Sequence, residues 1–158
     1  MRIAASIVIF LMAACRLAAQ SHRVELLAST GAACFVDESW CDSRHIYAAA
    51  GARFAISSKW ALQPEYAYAN GPGLDRDHSL VANISRTFAP SVRVTPYWVA
   101  GAGSMYHRGP YGHGRELTFN TGFGFKIHIS NRFFLAPEVR LGWNPFMRFG
   151  FGAGWTIK

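Results

Sequence analysis

Residues 116–130 read ELTFNTGFGFKIHIS. Leu117, Phe119, Thr121, Phe123, Phe125, Ile127 and Ile129 fall on one parity; Thr118, Asn120, Gly122, Gly124, Lys126, His128 and Ser130 fall on the other. A period of two is the mark of a β-strand, whose successive side chains point to opposite faces. One face here is apolar and aromatic, the other is glycine, polar or charged. RFFLAPEVRLGW (132–143) repeats the pattern, setting Phe133, Leu135, Val139, Leu141 and Trp143 against Arg132, Ala136, Glu138, Arg140 and Gly142. FMRFGFGAGWTIK (146–158) repeats it again. Working back toward the N-terminus, weaker versions of the pattern predict strands near 22–33, 45–56, 60–69, 78–88 and 92–106, to go with 116–129, 132–143 and 146–157. No helical period is sustained past residue 20.

The connections alternate in length. CFVDESWCDSR, NGPGLDRD and HRGPYGHGR are long, whereas SSK, APS and SNR are short. An up-and-down meander with loops at one end and tight turns at the other has this rhythm, and an even count of about eight strands can close into a barrel. Volume decides which face points inward. An eight-stranded barrel has room inside for side chains or one small ligand. Phe119, Phe123, Phe125, Phe133, Trp143, Phe149, Phe151 and Trp155, drawn from three strands, would overfill it. The glycine-rich face suits a narrow packed lumen, so the aromatic face points outward, toward lipid. Closure also satisfies the backbone amides, as a lipid environment demands.

The aromatic positions agree with that orientation. Trp60, Phe133 and Trp155 are expected near the short-turn ends, and Tyr68, Tyr106 and Trp143 near the long-loop ends, as two membrane belts. Phe133 and Trp143 are ten residues apart, about 23 Å along the membrane normal for a strand tilted near 45°.

The run TGFGFKIHISNRFFLAPEVRLGWNPFMRFGFGAGW (121–155) resembles the end of the small OmpA-type outer-membrane β-barrel proteins: a Gly-aromatic strand, a tight turn, a Phe-x-x-Pro-Glu-x-Arg strand and a final Gly-x-Gly aromatic strand. The likeness covers the last third of the chain well, and the strand count extends it. It implies an all-β, eight-stranded antiparallel transmembrane barrel in a bacterial outer membrane, with both termini periplasmic. Such proteins often end on an aromatic residue read by the assembly machinery, whereas this chain ends Trp155-Thr156-Ile157-Lys158.

The N-terminus, MRIAASIVIFLMAACRLAAQ, has the layout of a secretory signal: Arg2, a short apolar run from Ile3 to Ala14, then small residues. Cleavage after Ala19 would divide the chain into a signal peptide, 1–19, and a barrel domain, 20–158. Lipidation at Cys15 is the alternative. Cys34 and Cys41 then remain as a pair, for which an exporting route makes a disulfide the expected state. The formal charge of +7 falls to +5 without Arg2 and Arg16, too modest to argue for nucleic acid, and export excludes that partner.

The inward parity carries Arg23, Glu25, Arg53, Gln63, Glu65, Arg93, Lys126, Glu138, Arg140 and Arg148. Hairpin register sets Arg53 diagonal to Glu65 and Lys126 diagonal to Glu138, so cross-strand ion pairs are expected. The bland reading is a self-neutralising plug; the sharper one is a gate passing ions weakly. Arg86 falls on the outward parity near a turn, where it can reach the membrane interface. The long loops carry Arg44, Arg76, His78, His107, Arg108, His113 and Arg115, suited to the phosphates of outer-membrane lipids and lipopolysaccharide. His107 and His113 lack an acidic partner in the sequence, so no metal and no cofactor are expected.

His128-Ile129-Ser130-Asn131 fits the short motif of the lipid A 3-O-deacylases, eight-stranded barrels that are enzymes. If the hairpin pivots at Asn131, Glu138 lies about 13 Å along the strand from His128, too far to orient it, and the site falls at the periplasmic end. The sequence therefore favours a monomeric structural or surface-interaction barrel that is not an enzyme. A hydrolase using Ser130 and His128, and a secreted soluble barrel around an apolar ligand, are the alternatives.

Overall fold

The alternating segments form eight antiparallel strands: β1 (Val24–Phe35), β2 (Asp42–Ala55), β3 (Trp60–Asn70), β4 (Arg76–Thr87), β5 (Val94–Gly109), β6 (Gly112–His128), β7 (Phe133–Trp143) and β8 (Met147–Ile157). The computed structural model describes residues 23–35, 42–73, 75–89, 93–109 and 112–157. The expected signal segment, 1–19, lies outside the described residues. Each strand pairs with the next and β8 pairs with β1, which closes the sheet into a barrel. A closed sheet exposes no edge and leaves no row of backbone amides unpaired. Val24 registers with Ile157, so the described chain ends lie beside the β2–β3, β4–β5 and β6–β7 turns. We call this the short-turn end and the opposite one the mouth.

Strand number and order match the sequence reading, while the mouth differs. The mouth-side ends of β5 and β6 form a hairpin stem in which His107 registers with Gly114 and Arg108 with His113, where a long loop is expected. β5 and β6 run to 16 and 17 residues, beyond the roughly 9–11 that cross a bilayer. The apolar alternation stops where this hairpin rises past the apolar band, but backbone pairing continues without it. Arg44, Arg76, His78, Arg108, His113 and Arg115 are accordingly strand residues, not loop residues.

Burial assigns the faces. Phe123 is 65% exposed and Trp143 51%, whereas Glu25, Arg53 and Arg140 are nearly inaccessible. This is the inverse of a soluble barrel, and such an exterior is a lipid-facing one. Inside, glycine is matched to aromatic. A Cβ on Gly150 would meet the Tyr47 hydroxyl at 1.8 Å, one on Gly124 the Tyr97 ring at 2.6 Å, and one on Gly154 the Phe134 ring at 2.2 Å. The Gly-x-Gly run of β8 thus admits Tyr47 and Phe134 to a lumen that has no room for a second layer of side chains.

Two of the turns at the short-turn end, β2–β3 and β6–β7, share one hydrogen-bond pattern. In β2–β3 the Ser57 hydroxyl accepts from the backbone N–H of Lys59 and Trp60, at 3.3 and 3.1 Å. In β6–β7 the Ser130 hydroxyl accepts from Arg132 and Phe133, at 3.3 and 3.1 Å. In both, two successive amides donate to a single aromatic carbonyl, that of Trp60 or Phe133. At the mouth, register shifts between Ala33 and Phe35. Cys34 sits at this bulge, buried and disulfide-bonded. Cys41, its expected partner, and Cys15 lie outside the described residues.

Candidate functional site

Parity delivers long charged side chains from six strands into one narrow bore. Glu25 on β1 lies opposite Arg53 on β2. Its carboxylate accepts from Arg53 at 3.2 Å and from Lys126 of β6 at 2.6 Å, and Arg23 pairs with it at 3.2 Å. Arg53 also donates to the Gln63 side-chain carbonyl through Nε and Nη2, at 3.0 and 2.8 Å. Deeper in the barrel, Glu65 of β3 accepts from Arg140 of β7 and Arg148 of β8, each at 2.8 Å. Arg140 also donates through Nε to Glu138.

Two tyrosines join these pieces. Tyr97 donates its hydroxyl to Glu138 at 2.8 Å, and its ring lies 4.7 Å beneath the Arg53 guanidinium. Tyr47 lies 4.4 Å beneath that of Arg148. The chain Lys126–Glu25–Arg53–Tyr97–Glu138–Arg140–Glu65–Arg148–Tyr47 therefore runs unbroken along the lumen. Buried charges persist where each is paired and hydrogen-bonded, because an unpaired one costs several kcal/mol. The remaining space is small. Voids of about 30, 10 and 10 Å³ lie along the network, whereas a vestibule of about 360 Å³ opens at the short-turn end beside Arg23, Lys126 and His128.

Several expected partners differ. Arg53 takes Glu25 and Gln63 instead of its diagonal neighbour Glu65. Lys126 crosses the lumen to Glu25 instead of reaching Glu138. In a bore this narrow the far wall is as close as the next residue but one on the adjacent strand, so long side chains reach across it. Arg23 sits half-exposed at the rim. Arg93 is exposed in the bend before β5, although its backbone carbonyl accepts from His128 N–H at 2.9 Å. Tyr47 and Tyr97 are the residues that sequence reasoning missed. Their parity places them with Arg53 and Thr95, a signal present in the sequence but outweighed by their aromatic character.

Among the described residues, Ser130 and His128 are not hydrogen-bonded to one another; the Ser130 hydroxyl caps its turn, as Ser57 does in the twin turn. His128 registers with Phe134, whose ring centre is 5.8 Å away, and Glu138 registers with Gly124, so the expected hairpin pivot holds. Nucleophilic activation needs a base within hydrogen-bond reach, held by a third group.

On the exterior, Phe133 registers with Trp155 at the short-turn end, and their rings lie 6.4 Å apart. Trp60 registers with Arg86, whose guanidinium lies over Trp60 and Phe88 at 5.4 and 5.3 Å; the outward arginine is thus held at the interface by aromatic rings. Toward the mouth, Tyr68 registers with His78 and that residue with Tyr106, while Trp143 ends β7 beside Phe119. Beyond them, Arg76 registers with Arg108 and Arg108 with His113, while Arg115 registers with Tyr106; all four basic side chains are exposed. His107 faces inward and bonds Asp77 at 2.7 Å, so it does have an acidic partner, supplied by the neighbouring strand.

The fold is that of the small outer-membrane barrels. The N-terminal β-barrel domain of Pseudomonas aeruginosa OprF superimposes with a TM-score of 0.66 at 19% identity, over 87% of this chain and 98% of that one. Neisserial surface protein A superimposes with a TM-score of 0.67 at 13% identity, over 85% and 96%. Ail of Yersinia pestis, solved with the heparin analogue sucrose octasulfate, does so with a TM-score of 0.56 at 12% identity, over 87% and 99%. No protein-family model matches the chain, and neither does any curated protein.

Proposed function

We propose that this chain is a monomeric, integral protein of a bacterial outer membrane, with both termini periplasmic, and that it works through its outer surface and not as a pore or an enzyme. The observation that carries this reading is the continuous ion-paired network in the lumen. Voids of about 30 and 10 Å³ between its members are near the size of one water, so passage of small solutes is at most weak. Insertion relies on the outer-membrane assembly machinery.

The working surface is the basic row above the mouth-side aromatics. Arg76 and Arg108 point outward just beyond Tyr106, and Arg115 beside it, at the height where anionic headgroup phosphates of lipopolysaccharide lie. Each basic residue near such a surface contributes about 1 kcal/mol. Ail, of the same fold, has been solved with the heparin analogue sucrose octasulfate, which supports an anionic ligand for a barrel of this kind. The test is thermal unfolding of the refolded protein in phosphatidylcholine vesicles, with and without lipopolysaccharide. Lipopolysaccharide is expected to raise the midpoint for the parent protein, and the combined Arg76→Ala, Arg108→Ala and Arg115→Ala variant is expected to lose most of that rise. An identical midpoint with and without lipopolysaccharide in the parent protein contradicts the proposal.

A further inference from the structure

Inside the mouth, four side chains converge that no part of the lumen network uses. His45 of β2, Asp77 of β4 and His107 of β5 share the inward parity, and Asp75 joins them from the connection before β4. His45 Nε2 lies 2.9 Å from Asp75 Oδ2; His107 Nδ1 lies 2.7 Å from Asp77 Oδ1 and 3.4 Å from Asp75 Oδ1. Ligand-type atoms of His45, Asp75 and Asp77 all fall within 4.8 Å of one another. His45 and Asp77 are each 3% exposed.

Two observations show that this is more than a pair of His–Asp hydrogen bonds. First, Asp75 Oδ1 and Asp77 Oδ2 are buried with no hydrogen-bond partner. Two carboxylates held together with an unsatisfied oxygen each repel one another and are costly to bury. Second, both imidazoles occupy space that neighbouring glycines leave open. A Cβ on Gly71 would stand 2.2 Å from His45 Nε2, and one on Gly109 would stand 2.8 Å from His107 Nε2. The Phe35 ring, 4.6 Å from His45, backs the first imidazole.

We propose that His45, Asp75, Asp77 and His107 form a binding site for one divalent transition-metal ion of the zinc class, bracing the barrel mouth. Two imidazole nitrogens and two carboxylates are a ligand set for zinc and its neighbours, unlike the all-oxygen sets that suit calcium or magnesium. Ligand bonds of about 2.0–2.2 Å in a tetrahedron put ligand atoms roughly 3.3 Å apart; three of the separations, 2.7, 2.9 and 3.4 Å, lie near that value, while His45, Asp75 and Asp77 make the compact trio and His107 adjoins it through Asp75 and Asp77. On binding, each ring enters neutral with a nitrogen lone pair toward the ion. Any proton shared between that nitrogen and its carboxylate passes to solvent or to the other ring nitrogen. The ion neutralises the carboxylate pair and ties β2, β4, β5 and the β3–β4 connection together. The site does not depend on what the outer surface of the barrel binds.

The test uses the full chain refolded in detergent without an affinity tag. Zinc binding is measured by isothermal titration and by metal content after dialysis, with magnesium as the control ion and cobalt(II) absorption as a report of coordination. One zinc per chain is expected, with magnesium at least a hundredfold weaker. His45→Gln and Asp77→Asn are each expected to weaken zinc at least tenfold. His107→Gln, which alters a partly exposed side chain, supplies a second arm should the buried variants fail to fold. His78→Gln and His113→Gln, on the outward face, are expected to leave zinc affinity unchanged. Absence of saturable zinc binding by the parent protein overturns the proposal, as does binding that survives His107→Gln but is lost in His78→Gln or His113→Gln.

Discussion

Along the lumen, Glu25 and Glu65 are each clasped by two or more cations, whereas at the mouth Asp75 and Asp77 meet imidazoles and keep a buried oxygen each without a hydrogen-bond partner. The difference follows from side-chain length. Arginine and lysine have long stems and several donors, so Arg140 can serve Glu65 and Glu138 together and Lys126 can cross the bore to Glu25. Aspartate and histidine are short and stiff, and one ring nitrogen satisfies one oxygen. In the lumen cluster every carboxylate is thus met by cations and the buried atom left over is a donor, Arg148 Nε, while in the mouth cluster the atoms left over are carboxylate oxygens. Burying charge produces a plug in one place and a ligand set in the other.

Substitutions in the two regions should separate them. Arg140→Met leaves Glu65 with half its clasp and Glu138 without its guanidinium, and is expected to cost about 3–5 kcal/mol, measured by urea titration of heat-modifiable gel migration. Asp77→Asn in metal-free buffer is expected to cost about 0.5–1.5 kcal/mol, the size of one hydrogen bond, because it relieves the repulsion between two carboxylates while weakening the bond to His107. Equal costs would erase the distinction between plug and ligand set. Next in size is the effect of zinc: at a hundred times its Kd it is expected to raise unfolding free energy by about 2.7 kcal/mol, reversibly with chelator. Arg140→Met should retain that increment, and Asp77→Asn should lose about half of it or more. Gly150→Ala drives a methyl group into the Tyr47 hydroxyl and is expected to cost about 1–3 kcal/mol without changing zinc affinity. As small as the Asp77→Asn cost are those of Ser57→Ala and Ser130→Ala, each expected to be about 0.5–1.5 kcal/mol and to match one another in a parallel titration. A much larger effect at Ser130, or lipid A deacylation lost with it, would separate two turns that share one hydrogen-bond pattern.

Much of this was legible in the sequence because β-structure writes its faces into parity. Phe123 and Lys126 declare opposite faces of β6 without reference to any other strand, and the pivot at Asn131 pairs His128 with Phe134 by counting alone. Cross-lumen partners are different. Glu25 and Lys126 stand 101 positions apart, and their meeting depends on closure, tilt and stagger that no local pattern carries. The same holds for the mouth. His107 looked unpaired because Asp77 reaches it from another strand, and His45 and Asp75 come together only when β2 and the β3–β4 connection share one opening. Tyr97 was legible by parity but concealed by its residue type, since an aromatic ring in such a barrel is expected outside. His128-Ile129-Ser130-Asn131 shows the converse: a motif resembling chemistry whose serine is explained once it is set beside Ser57.

The ion-paired chain from Lys126 to Tyr47 fills the bore. Single-molecule conductance of the refolded protein in planar bilayers tests it most directly. The parent protein is expected to give a closed baseline with at most rare, brief, small openings, and combined Arg53→Ala and Arg140→Ala substitution is expected to make openings larger and longer. A steady open-channel current through the parent protein, unchanged by those two substitutions, would contradict the plug and the surface role built on it.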